Sequence, residues 1–129
     1  MLDPAALPDE VLAFLRERHL GTLTTLRRDG SPHVVAVGFM FDATAGLVRV
    51  ISSGGTQKAA NAALPGARAA VAQVDGPRWL SLEGPVEVTT DPARVAAAVA
   101  AYAARYRPPS ENPRRVALEI SVARVLGRA

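Results

Sequence analysis

Arg78-Trp79-Leu80-Ser81-Leu82-Glu83-Gly84-Pro85-Val86-Glu87-Val88-Thr89 is the stretch on which the fold turns. Leu80, Leu82, Val86 and Val88 fall on one side of an extended chain, with Gly84 between them. Trp79, Ser81, Glu83, Glu87 and Thr89 fall on the other. Alternation sustained over this length is the period of a strand with one buried face. Immediately upstream, Arg68 to Val74 reads as another strand, joined to the first by the turn Asp75-Gly76-Pro77.

The same grammar extends in both directions. Gly21 to Leu26 and His33 to Phe41 flank Arg28-Asp29-Gly30-Ser31, and Asp-Gly between two strand-like runs is a strong hairpin signal. The run His33-Val34-Val35-Ala36-Val37-Gly38-Phe39-Met40-Phe41 is apolar on both faces, so it needs cover on both sides: core on one, a ligand or second subunit on the other. A turn from Asp42 to Gly46 leads to the strand Leu47 to Ile51. Near the C-terminus, Val116 to Ile120 alternates again and is expected to continue into Val122 to Leu126.

Three segments are not strands. Pro8-Asp9-Glu10 opens a helix with Val11, Leu12, Phe14 and Leu15 on its apolar side, expected to end near His19. Asp91-Pro92 starts the main helix, rich in alanine and running to about Arg105. Arg107 to Pro113 is a proline-containing loop. Six or seven strands separated by tight turns, with helices inserted rather than alternating, predict an antiparallel β-barrel built from a single domain over residues 1–129.

One further segment carries a chemical signal. Ser52-Ser53-Gly54-Gly55-Thr56-Gln57-Lys58-Ala59-Ala60-Asn61 lies where a strand gives way to a short helix, Ala59 to Ala63, that is stopped by Pro65-Gly66. Free N–H groups at a helix start attract anions, and glycines let a ligand approach the main chain. The consensus of the nucleotide-triphosphate loop is absent. Lys58 is the only lysine, because the other basic residues are all arginine. Such a singular ammonium points to anion binding.

Composition narrows the classes of function. There is no cysteine, which excludes disulfides, thiolate zinc sites and a cysteine nucleophile. No apolar run approaches membrane-spanning length, and Met1-Leu2-Asp3-Pro4 lacks the pattern of a signal peptide, so a cytoplasmic protein with no membrane partner is expected. A net charge of +3 and a pI near 10.2 suit an anionic small molecule. No basic run is interleaved with aromatics, so nucleic acid is not expected as a partner.

Catalytic side chains are scarce. His19 reads as a helix cap. His33 begins an apolar strand and reads as structural or ring-contacting, without a second metal ligand near it. Glu83 and Glu87 share one strand face and read as solvated or interface residues, and no serine lies in a nucleophile elbow. Trp79 fits equally a packed residue and a planar wall against a ring or a second subunit. An anion cradle with apolar walls and no acid–base machinery is the signature of a site whose cofactor carries the chemistry.

Taken together, Arg18-His19-Leu20, Leu23-Thr24-Thr25-Leu26, Ser31 to Phe39, Gly54-Gly55-Thr56-Gln57-Lys58, Trp79 to Gly84, Tyr106-Arg107 and Asn112-Pro113-Arg114-Arg115-Val116 closely resemble the deazaflavin-dependent biliverdin reductases. These belong to the pyridoxamine-phosphate-oxidase-like, split β-barrel superfamily. The resemblance implies a homodimer with coenzyme F420 at the subunit interface, and hydride transfer to the central methine bridge of biliverdin. It implies that Thr56, Gln57, Lys58 and Asn61 hold the phosphate, and that Ser52 and Ser53, with the backbone of Val35, Ala36 and Val37, line the deazaflavin ring. Gln73, Arg78 and Trp79 would come from the partner subunit. For the substrate, His33 is a candidate ring contact, and Arg107 and Arg114, with Arg105 and Arg115, are candidates for the carboxylates of the substrate's propionates and of the cofactor's polyglutamate tail. The alternatives are an FMN-dependent reductase on the same barrel and a non-catalytic binding protein for deazaflavin or tetrapyrrole.

Overall fold

The computed structural model describes residues 1–129. Eight strands, β1 (Gly21–Leu26), β2 (Pro32–Val37), β3 (Met40–Asp42), β4 (Leu47–Ser53), β5 (Arg68–Asp75), β6 (Arg78–Thr89), β7 (Arg115–Ser121) and β8 (Arg124–Arg128), pair throughout in antiparallel fashion. Their order is β2-β1-β5-β6-β7-β4-β3, with β8 also on β6. Three helices, α1 (Asp9–Arg16), α2 (Gln57–Ala62) and α3 (Pro92–Arg105), are inserted between them. This is the antiparallel barrel that the strand and turn pattern predicts, of the split type that the resemblance implies.

β6 joins the two halves. Its first half, Trp79 to Glu83, pairs with β8, and its second, Val86 to Thr89, pairs with β7. Along its other edge it pairs with β5 from Arg78 to Pro85. Leu80 and Leu82 from β6 are completely buried, together with Phe14, Leu23, Phe39, Leu118 and Ile120. Each such side chain contributes about 1.5–3 kcal/mol by leaving water.

Two expected strands each divide into two, because the chain changes neighbours midway. The run His33–Phe41 pairs with β1 as far as Val37, then breaks at Gly38-Phe39 and resumes as β3 against β4. The C-terminal run leaves β4 and β6 after Ser121 and returns as β8. The first helix also stops earlier than expected: Glu17 is already extended (φ −61°, ψ 147°). The carbonyl of Glu17 is taken by the Arg105 side chain instead of by a further helical turn.

The crossover after β7 lies directly on Gly84. Ala123 N–H donates to the Glu83 carbonyl at 2.9 Å, and a Cβ placed on Gly84 would sit 1.8 Å from the Ser121 carbonyl oxygen. Because that obstacle is backbone, no rotamer change relieves it. Gly84→Ala is therefore expected to cost stability at or above the ~1–3 kcal/mol typical of overpacking. Urea denaturation measures this, and an unchanged midpoint would mean the crossover moves freely.

Candidate functional site

β4 reaches Ser53 because β7 holds it to the end: Ser53 pairs with Arg115, and Gly54 N–H donates to the Arg114 carbonyl at 2.7 Å. The chain then turns through Gly54-Gly55 into α2. Thr56 caps this helix, its Oγ1 accepting from Ala59 N–H at 3.3 Å. The hydroxyls of Ser52 and Thr56 share a hydrogen bond of 2.9 Å. Asn61 bolts the helix to β1, donating from Nδ2 to Thr25 Oγ1 at 3.0 Å and accepting from Gln57 Nε2 at 2.6 Å. Lys58 forms no hydrogen bond or ion pair within the chain and faces a cleft of about 640 Å³.

Ala36 and Val37 at the end of β2, with Gly38 just past it, form one side of that cleft, and Ile51, Ser52 and Ser53 form another. Tyr102 of α3 closes the back. A Cβ on Gly38 would lie 2.9 Å from the Tyr102 ring and 3.0 Å from that of Tyr106, so only glycine lets the rings seat against β2. The rim is the segment Arg107-Pro108-Pro109-Ser110 with Asn112 and Arg115. Though irregular, it is tied down: Asn112 Nδ2 donates to Ser53 Oγ, and Arg115 Nη2 donates to the Ser110 carbonyl at 2.8 Å. Lys58, Arg107 and Arg115 line the cleft and no carboxylate does. The site is therefore built for a large ligand carrying several negative charges.

Behind the cleft, a brace of polar groups fixes α3. The Arg105 guanidinium donates to the carbonyls of Glu17 and Phe39 and to Gln73 Oε1, while its plane lies over the Phe39 ring, 4.7 Å from the centroid. Burial lowers its pKa, but guanidinium stays protonated. Tyr106 donates to the His19 carbonyl at 2.6 Å and accepts from Phe39 N–H at 3.2 Å, and burial pushes its phenol pKa up.

The structure sorts the expected site residues. Ala36, Val37, Ser52, Ser53, Lys58 and Arg107 converge on the cleft. Thr56, Gln57 and Asn61 do not line it; they shape the helix that carries Lys58. Val35 packs toward the core. Gln73 is completely buried, donates Nε2 to the Phe14 carbonyl at 2.8 Å and accepts from Arg105, so within the chain both ends of its amide are engaged as a structural brace. Arg105 is likewise structural rather than free for a propionate. His33 shares the inward side of β2 with Val35 and pairs with Thr25, its Nδ1 buried without a partner, and it does not line the cleft. Arg114 turns away to the Gly54 carbonyl at 3.0 Å. Arg78 is held by Glu17 and Asp75, and Trp79 is 41% exposed on the outer sheet face. Neither belongs to the cleft of its own chain. Tyr102, Ser110 and Asn112 line the cleft without having been expected there. The signal for Tyr102 was its spacing, one helical turn before Tyr106, the residue that caps α3.

A family model described as pyridoxamine 5′-phosphate oxidase matches residues 7–129. A protein of Mycobacterium tuberculosis (strain CDC 1551 / Oshkosh) named F420H(2)-dependent biliverdin reductase is 58% identical over 123 residues, covering 95% of this chain and 89% of that one. A solved structure named F420 reductase superposes with a TM-score of 0.72 at 25% identity, covering 93% and 98% of the two chains. A conserved hypothetical protein from Mycobacterium tuberculosis superposes at 0.78 with 22% identity, covering 95% and 85%, and shares the fold.

Asn61 offers a direct check on this division of labour. Asn61→Ala leaves the Thr25 hydroxyl, 1% exposed, without its partner and frees α2 from β1. The expected cost is about 1–3 kcal/mol of stability. Chemical denaturation that shows no loss would return Asn61 to the list of ligand contacts.

Proposed function

The chain belongs to the pyridoxamine 5′-phosphate oxidase family, and from that premise we propose that it is an F420-dependent reductase that converts biliverdin to bilirubin. The observation that carries the reading is the cleft: about 640 Å³, three cations, no carboxylate and a tyrosine at its back. Its donor set fits the cofactor, because Lys58 meets a phosphate and Arg107 and Arg115 suit carboxylates beyond it. FMN ends at its phosphate and would leave those two arginines without a counterpart. The named activity of the 58% identical relative supports the same choice.

When bound, reduced deazaflavin supplies a hydride, which biliverdin accepts at its central methine carbon while a pyrrole nitrogen takes a proton. The chain supplies position. The backbone from Ala36 to Gly38 and the hydroxyls of Ser52 and Ser53 hold one edge of a ring, and Tyr102 limits how deeply it sits. No histidine or carboxyl group lines the cleft, and its one ammonium, Lys58, is assigned to the phosphate, which in this reading leaves solvent, cofactor or a propionate of the substrate as the proton source. Orientation by the cleft then carries most of the acceleration.

We read the enzyme as a cytoplasmic homodimer. The outer faces of β2, β1, β5 and β6 present Val34, Leu26, Val74 and Trp79, which are 57%, 49%, 67% and 41% exposed. Register places Val34 beside Thr24 and Val74 beside Trp79 on one continuous surface. A second copy covers such a face best, and Ala36 on the same face brings the cleft to its border. Trp79 of the other copy lies on this face and would approach the cleft from there, whereas Arg78 is held on the opposite side by Glu17 and Asp75. Light scattering at micromolar concentration should give twice the chain mass. A monomer mass would remove this part of the reading.

Anaerobic mixing with reduced F420 and biliverdin should oxidise the cofactor and consume the tetrapyrrole, whereas FMNH2 should not replace it. Binding without turnover would make the protein a carrier. Lys58→Ala should weaken cofactor binding by about 1.5–3 kcal/mol, the range for a hydrogen bond to a charged group, with the melting temperature unchanged. An unaltered titration would make Lys58 a bystander.

A further inference from the structure

A second cleft, about 330 Å³, opens beside the first and shares two walls with it, Tyr102 and Arg107. Its remaining lining is Arg18, Leu20 and Tyr106. Neither Arg18 nor Arg107 has a hydrogen-bond or ion-pair partner in the chain; Arg16, Arg28 and Arg68 are likewise unpartnered but lie outside this cleft. By contrast, Arg49, Arg78, Arg94 and Arg124 each hold a carboxylate. The acid nearest in sequence, Glu17, is engaged by Arg78 and does not neutralise them. Leu20 is 64% exposed next to these charges, an unusual place for a large apolar side chain.

The walls are preorganised. Tyr106 donates to the His19 carbonyl between Arg18 and Leu20, and Arg105 donates twice to the Glu17 carbonyl. The backbone that presents Arg18 and Leu20 is thus clamped to the end of α3, and a ligand need not order it. Two free guanidinium groups beside an exposed leucine and two tyrosine rings complement a carboxylate on a partly apolar carrier. They do not match a bare inorganic anion, which has no use for the apolar half.

We propose that this second cleft is a carboxylate subsite continuous with the main cleft, in which Arg18 and Arg107 grip the carboxylate while Leu20 and the tyrosine rings cover its carrier. The assignment rests on the F420 and biliverdin reading, which offers two sources of carboxylate: a propionate of the tetrapyrrole and the glutamate tail of the cofactor. In both cases Arg18 selects the ligand without taking part in the reaction.

Equilibrium titrations followed by absorbance and fluorescence test this without turnover. Wild-type protein, Arg18→Gln and Leu20→Ser are each titrated with biliverdin, with its dimethyl ester and with F420 of two tail lengths. The control is Arg28→Gln, at an exposed hairpin turn. Arg18→Gln should weaken one carboxylate ligand roughly ten- to a hundredfold, less so at high salt, with an unchanged melting temperature. Loss confined to biliverdin and absent for the ester identifies the propionate; loss confined to F420 and graded with its glutamates identifies the tail. If Arg18→Gln and Leu20→Ser bind every ligand as wild type does, or if Arg28→Gln weakens binding equally, the subsite is refuted. Arg18-dependent binding of biliverdin without its reduction would refute the proposed activity and leave the subsite standing. Normal reduction with binding indifferent to Arg18 would do the reverse.

Discussion

One strand has to serve two half-barrels, and that requirement governs the rest of the chain. β6 is long enough to pair with β8 at its start and β7 at its end while β5 occupies its other edge. The change of partner needs a point where a third piece of backbone crosses the strand, and only a residue without a side chain allows it. Once β6 is set, β7 carries β4 beside it, and β4 delivers Ser52, Ser53 and Lys58 to the mouth of the cleft. The opposite edge delivers β5, β1 and β2, and with them Ala36 and Gly38. The two sides of the site therefore approach each other through a shared spine rather than through a hinge.

The barrel was legible in the sequence because its strands alternate and its turns carry Asp-Gly or Pro-Gly. Leu80, Leu82 and Val86, all buried, share one face only in an extended strand, whereas Val88 near its end is half-buried and Thr89 beside it is buried. What was not legible was where strands change neighbours. Gly38-Phe39 lies within an unbroken apolar run, and the break there comes from contact with Tyr102 and Tyr106, distant in sequence. The early end of α1 has the same kind of origin, since Glu17 gives its carbonyl to Arg105.

The site was read partly by residue type, and type alone does not tell a ligand contact from a buried brace. Lys58 was recognisable because a lone lysine after paired glycines has no structural task. Asn61 and Gln73 carry the same amide chemistry as many ligand contacts, yet Asn61 meets Thr25 and Gln73 meets Phe14 and Arg105 inside the protein. Nothing in the local pattern separates these cases; burial does. Tyr102 escaped notice for the opposite reason, because an alanine-rich helix has no sharply apolar face to mark which side meets the barrel.

The Arg105 joint has a consequence for tolerance to acid. Its oxygen acceptors are carbonyls and an amide, and none of them gains a proton at any pH a protein survives. The neighbouring junction of Arg78 with Glu17 and Asp75 depends on carboxylates. Hydrogen bonding from Arg78 holds the Glu17 pKa below its ordinary value, so that contribution is present above the unfolded pKa and fades as the pH falls through the folded one. Acidification thus loosens the edge of the barrel before it reaches the joint behind the cleft. A solution acidic enough to protonate Glu17, below the ordinary carboxylate range, leaves the backbone from Glu17 to Leu20 fastened to α3 while the ionic contacts around it let go.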